Sequence, residues 1–185
     1  MRIGIDFDGV ICDAIAAMIA YASTRHGLQL SALDCIAANG PAGLTTDEYT
    51  QLIVDTHRTD YQFEMQPVAD VVDVLQRLAD AHELFVVTAR RDAGLENAVR
   101  WSDMHGLTPH IRQFVSSGGT TKAALCDSLQ LDVLIDDFER NLDGLPASVL
   151  PVLWHAEYNA EALIEPPRER IASWLEFHER LEALH

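Results

Sequence analysis

Lysine is almost missing from this chain. Lys122 stands alone, and every other basic residue among the 13 Lys+Arg is arginine. Generic positive charge is supplied by arginine here, so the one lysine is read as a position where a compact point charge is wanted, with chance at a helix start as the alternative. Positive charge is scarce altogether, because 29 Asp+Glu outweigh the basic residues to give a formal net charge of −16. Such a surface repels the phosphates of a long nucleic acid and excludes that partner. It does not exclude a small phosphate ester held by a metal and a few local cations. Cysteine is also sparse: Cys12, Cys35 and Cys126 are scattered and odd in number. They make no disulfide framework and read as reduced thiols packed like small hydrophobes. No apolar run approaches the length of about 18 residues that a membrane span needs. The N-terminal stretch has no basic segment followed by a long apolar one, so no signal peptide is expected. Together these absences predict a cytoplasmic protein without membrane contact. The eight histidines do not fall at ligand spacing, so a zinc site is not expected.

What is present is an ordinary globular composition. Of 185 residues, 48% are hydrophobic and 23% charged, enough for one domain or one domain with an insertion. No repeat or low-complexity segment interrupts it, and nothing in the chain speaks to oligomeric state. Strand and helix signals alternate. Residues 2–7 predict a strand. Ala14 to His26 predicts a helix stopped by Gly27. The segment 28–44 is mixed, with a turn at Asn39-Gly40-Pro41. Thr45 to Glu48 opens a helix that runs to His57. Pro67 opens another, carried by Val68, Val71, Val72, Leu75 and Leu78. A strand at Leu84–Val87 is followed by a helix capped by Asp92 and ended by Gly106. A weaker strand, 111–115, leads through a loop over 116–119 to a short helix begun by Thr120 or Thr121. Strands follow at Val133–Ile135 and Val149–Leu153. After Pro166-Pro167 comes a C-terminal helix with a stripe of Ile171, Trp174, Leu175 and Leu181. This order predicts an α/β fold, a Rossmann-like parallel sheet flanked by helices. Residues 11–66 hold no convincing strand and are expected as a small helical insertion after the first strand. Residues 1–10 and 67–185 are then the core.

The chemistry collects at the ends of the predicted strands. The first ends in Asp6-Phe7-Asp8-Gly9, two carboxylates two residues apart followed by a glycine that lets the chain turn sharply. Two such carboxylates repel one another unless a cation or a shared proton compensates, and a hard cation such as Mg2+ suits oxygen ligands. An Asp-x-Asp-Gly stretch also occurs in calcium loops and in plain turns. A calcium loop needs further oxygen ligands and a closing Glu, whereas residues 12–18 are apolar and helix-like. The second strand ends in Thr88-Ala89-Arg90-Arg91. The third is followed by Ser116, Ser117 and Lys122, and the fourth ends in Asp136-Asp137. Parallel strands bring all of these to one edge of the sheet, the convergence expected of an active site. Gly118 to Lys122 lacks the spacing of a P-loop.

Asp6-Phe7-Asp8-Gly9-Val10, Val86-Val87-Thr88, Lys122 and Ile135-Asp136-Asp137 together resemble the four ordered motifs of the haloacid dehalogenase-like hydrolase superfamily, over about residues 3 to 141. The Val87-Thr88-Ala89-Arg90 form, and Leu134 to Asp137 ahead of Asn141, are similar to the 5'(3')-deoxyribonucleotidase-like branch, which carries a small helical cap after its first strand. The resemblance implies a Mg2+-dependent phosphomonoester hydrolase. Asp6 would be the nucleophile that forms an aspartyl phosphate, and Asp8 the acid and base of the two steps. Asp136, with or without Asp137, would bind the metal together with Asp6 and the Asp8 backbone carbonyl. Thr88 would donate to the phosphoryl oxygens with an adjacent amide, at Ala89 or Arg90, and Lys122 would offset the charge. Arg90 and Arg91 are candidates for a second phosphate or a carboxylate. Tyr49, His57, Arg58, Tyr61 and Phe63 are candidates for a base or sugar, or for packing of the cap. Asn141 either braces the acidic loop or caps a helix. The expected partner is a small phosphorylated substrate, with a nucleoside monophosphate as the first choice. A phosphatase of sugars or other metabolites, and a non-catalytic phosphate-binding protein, are the alternatives on this scaffold. A receiver domain uses similar groups, but there the acid pair precedes the lysine, and here it follows.

Overall fold

The computed structural model describes residues 1–36, 44–118 and 120–183. The expected turn at Asn39-Gly40-Pro41, and Gly119 of the expected loop, lie outside the described residues. Six strands form one sheet in the order β3-β2-β1-β4-β5-β6, with every pairing parallel. They are β1 (Arg2–Ile5), β2 (Glu83–Thr88), β3 (Ile111–Ser116), β4 (Val133–Asp136), β5 (Leu150–Trp154) and β6 (Glu169–Ile171). The helices are α1 (Ala14–His26), α2 (Ala32–Cys35), α3 (Thr46–Arg58), α4 (Val71–Ala79), α5 (Ala93–Met104), α6 (Lys122–Leu129) and α7 (Trp174–Glu182).

The strands read as near-continuous apolar runs because both sheet faces are covered. Alternate residues divide between two cores. Ile3, Ile5, Leu84, Val86, Val133, Ile135 and Val152 pack with side chains of α4, α5 and α7. Phe85, Val87, Leu134 and Leu153 pack on the other face with Cys126 of α6 and loop residues such as Leu142. A third, separate cluster of Met18, Ala22, Cys35 and Leu52 ties α1, α2 and α3 together. These helices lie between β1 and α4. The two chain segments joining them to the sheet are hydrogen-bonded to each other, Asp13 N to Gln66 O and Val68 N to Ile11 O, both at 2.9 Å.

Local signals explain most element ends. Gly27 adopts φ 67° and stops α1, and a Thr45/Glu48 capping box starts α3. Thr121, not Thr120, caps α6, and its hydroxyl accepts from Ala124 N. Three expectations are corrected. The helix expected from Pro67 begins at Val71, because Pro67 is held in a bridge to Cys12 and Asp70 takes φ 63° before the first turn. Asp92 occupies the cap position of α5 but makes no side-chain capping bond. Ile171 belongs to β6 rather than to the last helix, which starts at Trp174, and Leu175 is exposed. All three cysteines are buried and free.

Candidate active site

The C-terminal ends of β1, β2 and β4, with the start of α6, bring Asp6, Thr88, Asp136 and Lys122 together. All four are buried. Lys122 is the first residue of α6, and its Nζ donates to Asp6 Oδ1 and to Asp136 Oδ2, each at 2.5 Å. Asp136 is held further by Phe138 N at 2.8 Å and by Asn141 Nδ2 at 2.9 Å. Asn141 therefore braces the acidic loop. Thr88 is 1% exposed, and its hydroxyl accepts from Arg90 N at 3.2 Å, which leaves its proton to donate elsewhere.

Asp137 turns its carboxylate to the same place. Its Oδ2 accepts from the Tyr158 hydroxyl, and its Oδ1 is buried with no hydrogen-bond partner. Asn159 Nδ2 donates to the Asp137 and Trp154 carbonyls, both at 2.8 Å. Gly9 passes close by with φ 80°, and a Cβ there would overlap Asp137 Oδ2. Only glycine serves at that position, for conformation and for space. Tyr158 and Asn159 went unnoticed in the sequence. They follow β5 with no motif spacing, and only the fold brings them to Asp137.

The electrostatics show an excess of negative charge. Burial drives the Asp6 carboxyl up, against the pull of Lys122, to about 7. Burial, then the Asp6 and Asp136 charges, raise Asp137 well above the usual carboxylate range. Burial would lower the Lys122 ammonium, but Asp6 and Asp136 hold it up, so it stays charged. Asp6, Asp136 and Asp137 each offer an oxygen within 4.8 Å of the others. Three carboxylates facing one ammonium, one of them with an orphaned buried oxygen, fit a hard divalent cation that takes oxygen ligands.

Asp8 is placed differently from Asp6. Its side chain is outside the three-carboxylate cluster, and the ligand expected from Asp8 is its backbone carbonyl. Instead Arg90 grips it at both oxygens, Nε to Oδ2 at 2.8 Å and Nη2 to Oδ1 at 2.5 Å. His57 Nε2 lies 3.7 Å from Oδ1. Burial alone would raise the Asp8 carboxyl, but the Arg90 charge and hydrogen bonds, then His57, hold it below the usual value. Burial pushes the His57 ring down to about 4, against the Asp8 charge. Arg90 was expected to hold substrate, yet it is 7% exposed. Its guanidinium is occupied by Asp8 and by Gln62 Oε1 and lies 4.9 Å over the Phe7 ring.

A cavity of about 290 Å3 opens in front of Asp6, Asp8 and Lys122. Ala89 lines it, as do Tyr49 and His57 from α3. Its far wall is mainly apolar, formed by Ile15, Met18, Ile36 and Ile53, with Phe138 and Arg140 on the sheet side. Tyr61 and Phe63 are elsewhere: Tyr61 packs edge-on to Tyr21 at 5.0 Å, and Phe63 lies under Arg100 at 4.7 Å. Ser117 is tied to the Thr88 carbonyl, with N to O at 2.7 Å.

Several solved structures share this fold. A haloacid dehalogenase-like hydrolase of Streptococcus pneumoniae aligns with a TM-score of 0.70 at 16% identity, covering 100% of this chain and 98% of its own. A predicted phosphoglycolate phosphatase of Haemophilus somnus aligns at 0.62 and 15% identity, covering 100% and 97%. A HAD family hydrolase of Deinococcus radiodurans, with bound phosphate and sodium, aligns at 0.61 and 16%, covering 99% and 93%. No curated protein matches the sequence. The six-stranded parallel α/β architecture is the fold of these haloacid dehalogenase-like hydrolases. Within that class, the sequence model of the "5' nucleotidase, deoxy (Pyrimidine), cytosolic type C protein" family matches residues 1–183, and the chain belongs to this family. It is a phosphatase.

Proposed function

We propose that the protein hydrolyses nucleoside monophosphates with Mg2+, through an aspartyl phosphate on Asp6. The observation that carries this reading is the Asp6–Lys122–Asp136 triad with Asp137 beside it, in a cavity whose far wall is apolar. A sugar phosphate would ask that wall for several hydrogen-bonding groups, whereas a base is satisfied by flat apolar contact. Among the described residues the phenol there is Tyr49, which already donates to the Cys35 carbonyl at 2.5 Å.

Asp6 Oδ1 is fixed by Lys122, and the other oxygen is free to attack phosphorus. The Asp6–phosphorus bond forms as the ester bond breaks, and the leaving oxygen takes its proton from Asp8, which enters this step protonated. Water then attacks phosphorus and gives its proton to Asp8, releasing inorganic phosphate and restoring Asp6. The ionised, Arg90-bound Asp8 is suited to that second step as the base. Donating the first proton requires Asp8 to be protonated against the Arg90 charge. Thr88 donates its free hydroxyl proton to a phosphoryl oxygen, and Lys122 neutralises its charge. Mg2+ held by Asp6, Asp136, Asp137 and the Asp8 carbonyl would supply charge neutralisation between the anionic nucleophile and the anionic ester. Helices α1–α3 form a cap over this cavity, joined to the core through the hydrogen-bonded segments at Asp13 and Gln66. The buried free cysteines suit a cytoplasmic location.

The test is phosphate release from a panel of nucleoside monophosphates and sugar phosphates at fixed Mg2+. Nucleotides are expected to lead in kcat/KM by about tenfold or more, a modest difference in transition-state contacts. Asp6→Asn is expected to lower kcat by at least about 10^3-fold, since it removes the step-splitting nucleophile. Inactivity on every nucleotide refutes the nucleotidase reading, and Mg2+-dependent turnover surviving in Asp6→Asn refutes the nucleophile.

A further inference from the structure

Beside the catalytic cavity lies a second one of about 360 Å3, which meets it at Asp8, His57 and Ala89. Its outer side is lined by Arg58, Arg91 and Gly94. Arg58 is the last residue of α3, and Arg91 follows Arg90 after β2, so the two arginines enter one cavity from opposite sides of the cleft. Their stems are supported. Arg58 Cγ packs over Gly94, 3.8 Å from where a Cβ would stand, and Arg91 lies so close across Gly118 that a Cβ there would overlap its Nε.

Both residues are exposed, and among the described residues neither is recorded in an ion pair or a side-chain hydrogen bond. The acids nearest in sequence do not reach them: Asp55 binds Tyr21 and Gln51, and neither Asp60 nor Asp92 forms an ion pair. Elsewhere Arg2, Arg90, Arg112, Arg168 and Arg180 each meet a carboxylate, whereas Arg25, Arg77, Arg100, Arg140 and Arg170 form no ion pair among the described residues and do not share a cavity with a second unpaired arginine near Asp8. In a chain of net charge −16, two unpaired guanidiniums lining one cavity, next to a third held by Asp8, repel one another unless an anion enters. Planar forks of this kind suit bidentate recognition of phosphate or carboxylate.

We propose that Arg58 and Arg91 form a second anion subsite, which takes a phosphate or carboxylate group borne on the leaving-group side of the substrate. This rests on the phosphatase reading and adds to it a preference, between otherwise matched phosphomonoesters, for the one that carries a second anionic group. The subsite is set apart from Arg90, whose guanidinium stays with Asp8. An anion bound there links the end of α3 to the core loop after β2, in a cavity that His57 and Asp8 also line.

The experiment compares matched probes: thymidine 5'-monophosphate with thymidine 3',5'-bisphosphate, and ethyl phosphate with 2-phosphoglycolate. Phosphate release is followed in the wild type and in Arg58→Gln, Arg91→Gln and the double variant. Affinity is measured by titration calorimetry in the same variants on an Asp6→Asn background. In at least one pair the doubly anionic probe is expected to lead in kcat/KM by about tenfold, the scale of one or two charge-assisted hydrogen bonds. The lead is expected to fall towards one in the double variant, with the same loss in affinity on the Asp6→Asn background. Equal values for both members of each pair, or a lead that survives in the double variant, overturns the subsite. So does inorganic phosphate binding that depends on both arginines while the probes show no lead, since the occupant is then a free anion. A wild type that hydrolyses neither nucleotide probe counts against the nucleotidase reading, while calorimetry still decides the subsite.

Discussion

Tyr158 leaves Asp137 with one oxygen to offer. Its hydroxyl engages Oδ2, and Oδ1 is left buried without a hydrogen-bond partner. A partner of this kind orients a metal ligand and limits it to a single coordinating atom, and its removal costs roughly 10–100-fold in metal affinity. Tyr158→Phe keeps the ring that stacks on Phe138 at 5.6 Å and deletes only the donor. The apparent Mg2+ affinity, read from the Mg2+ dependence of thermal stability, is expected to weaken about tenfold. An unchanged Mg2+ titration in the variant removes Tyr158 from the ligand support. Residues of this type were not legible in the chain, because Glu157-Tyr158-Asn159 has no pattern of its own. Asp6, Asp8, Thr88, Lys122 and Asp136 were legible, because each sits at the end of a strong apolar run or at a helix start and the runs share one direction.

Arg90 belongs to the scale of elements, since it joins the end of β2 to the turn after β1 and to the segment after α3. It takes both oxygens of Asp8 and the amide oxygen of Gln62. Removing one partner of a buried ion pair strands the other, at about 3–5 kcal/mol. Arg90→Met is therefore expected to lower stability by an amount of that order in urea unfolding. Without the guanidinium, the main effect holding the Asp8 carboxyl down is lost. The limb of the pH–rate profile set by Asp8 is expected to move to higher pH, and a limb that stays put or moves lower contradicts the pairing. The sequence shows why such links escape a linear reading. Arg90 was read by its neighbours in the motif, while its contacts come from residues 82 and 28 positions away. The same limit explains the misplaced helix starts. Pro67 looked like a first helical turn, but its place is set by the bridge to Cys12 across the insertion. The three-residue strand β6 escaped because Ile171 is its one fully buried position, and that residue suits the stripe of the following helix equally well. Long apolar strands and capped helices such as α1 and α3 were legible because their periodicity and their stop signals are local.

For the whole molecule, the acidic cluster is a source of instability that a bound divalent cation is expected to relieve. Asp6, Asp136 and Asp137 are buried within 4.8 Å of one another. The folded state without a cation keeps protons there: burial raises Asp6 to about 7 and Asp137 well above its usual value. The unfolded chain releases those protons from about pH 4 upward, at ordinary carboxylate values. Between about pH 4 and 7 the folded state binds more protons, so these groups make stability fall as pH rises. A divalent cation replaces the protons, so its stabilising effect grows with pH over the same window. At a Mg2+ concentration of about 100 times the dissociation constant, a ligand that binds only the folded state contributes about 2.7 kcal/mol. For a chain of this size that is an upward shift in Tm of roughly 5–10 °C. Scanning calorimetry with and without Mg2+ is expected to show the larger shift at pH 8 and the smaller at pH 6. Asp136→Asn is expected to reduce the shift at both. Equal shifts at the two pH values, together with an unreduced shift in Asp136→Asn, place the stabilising ion away from this cluster.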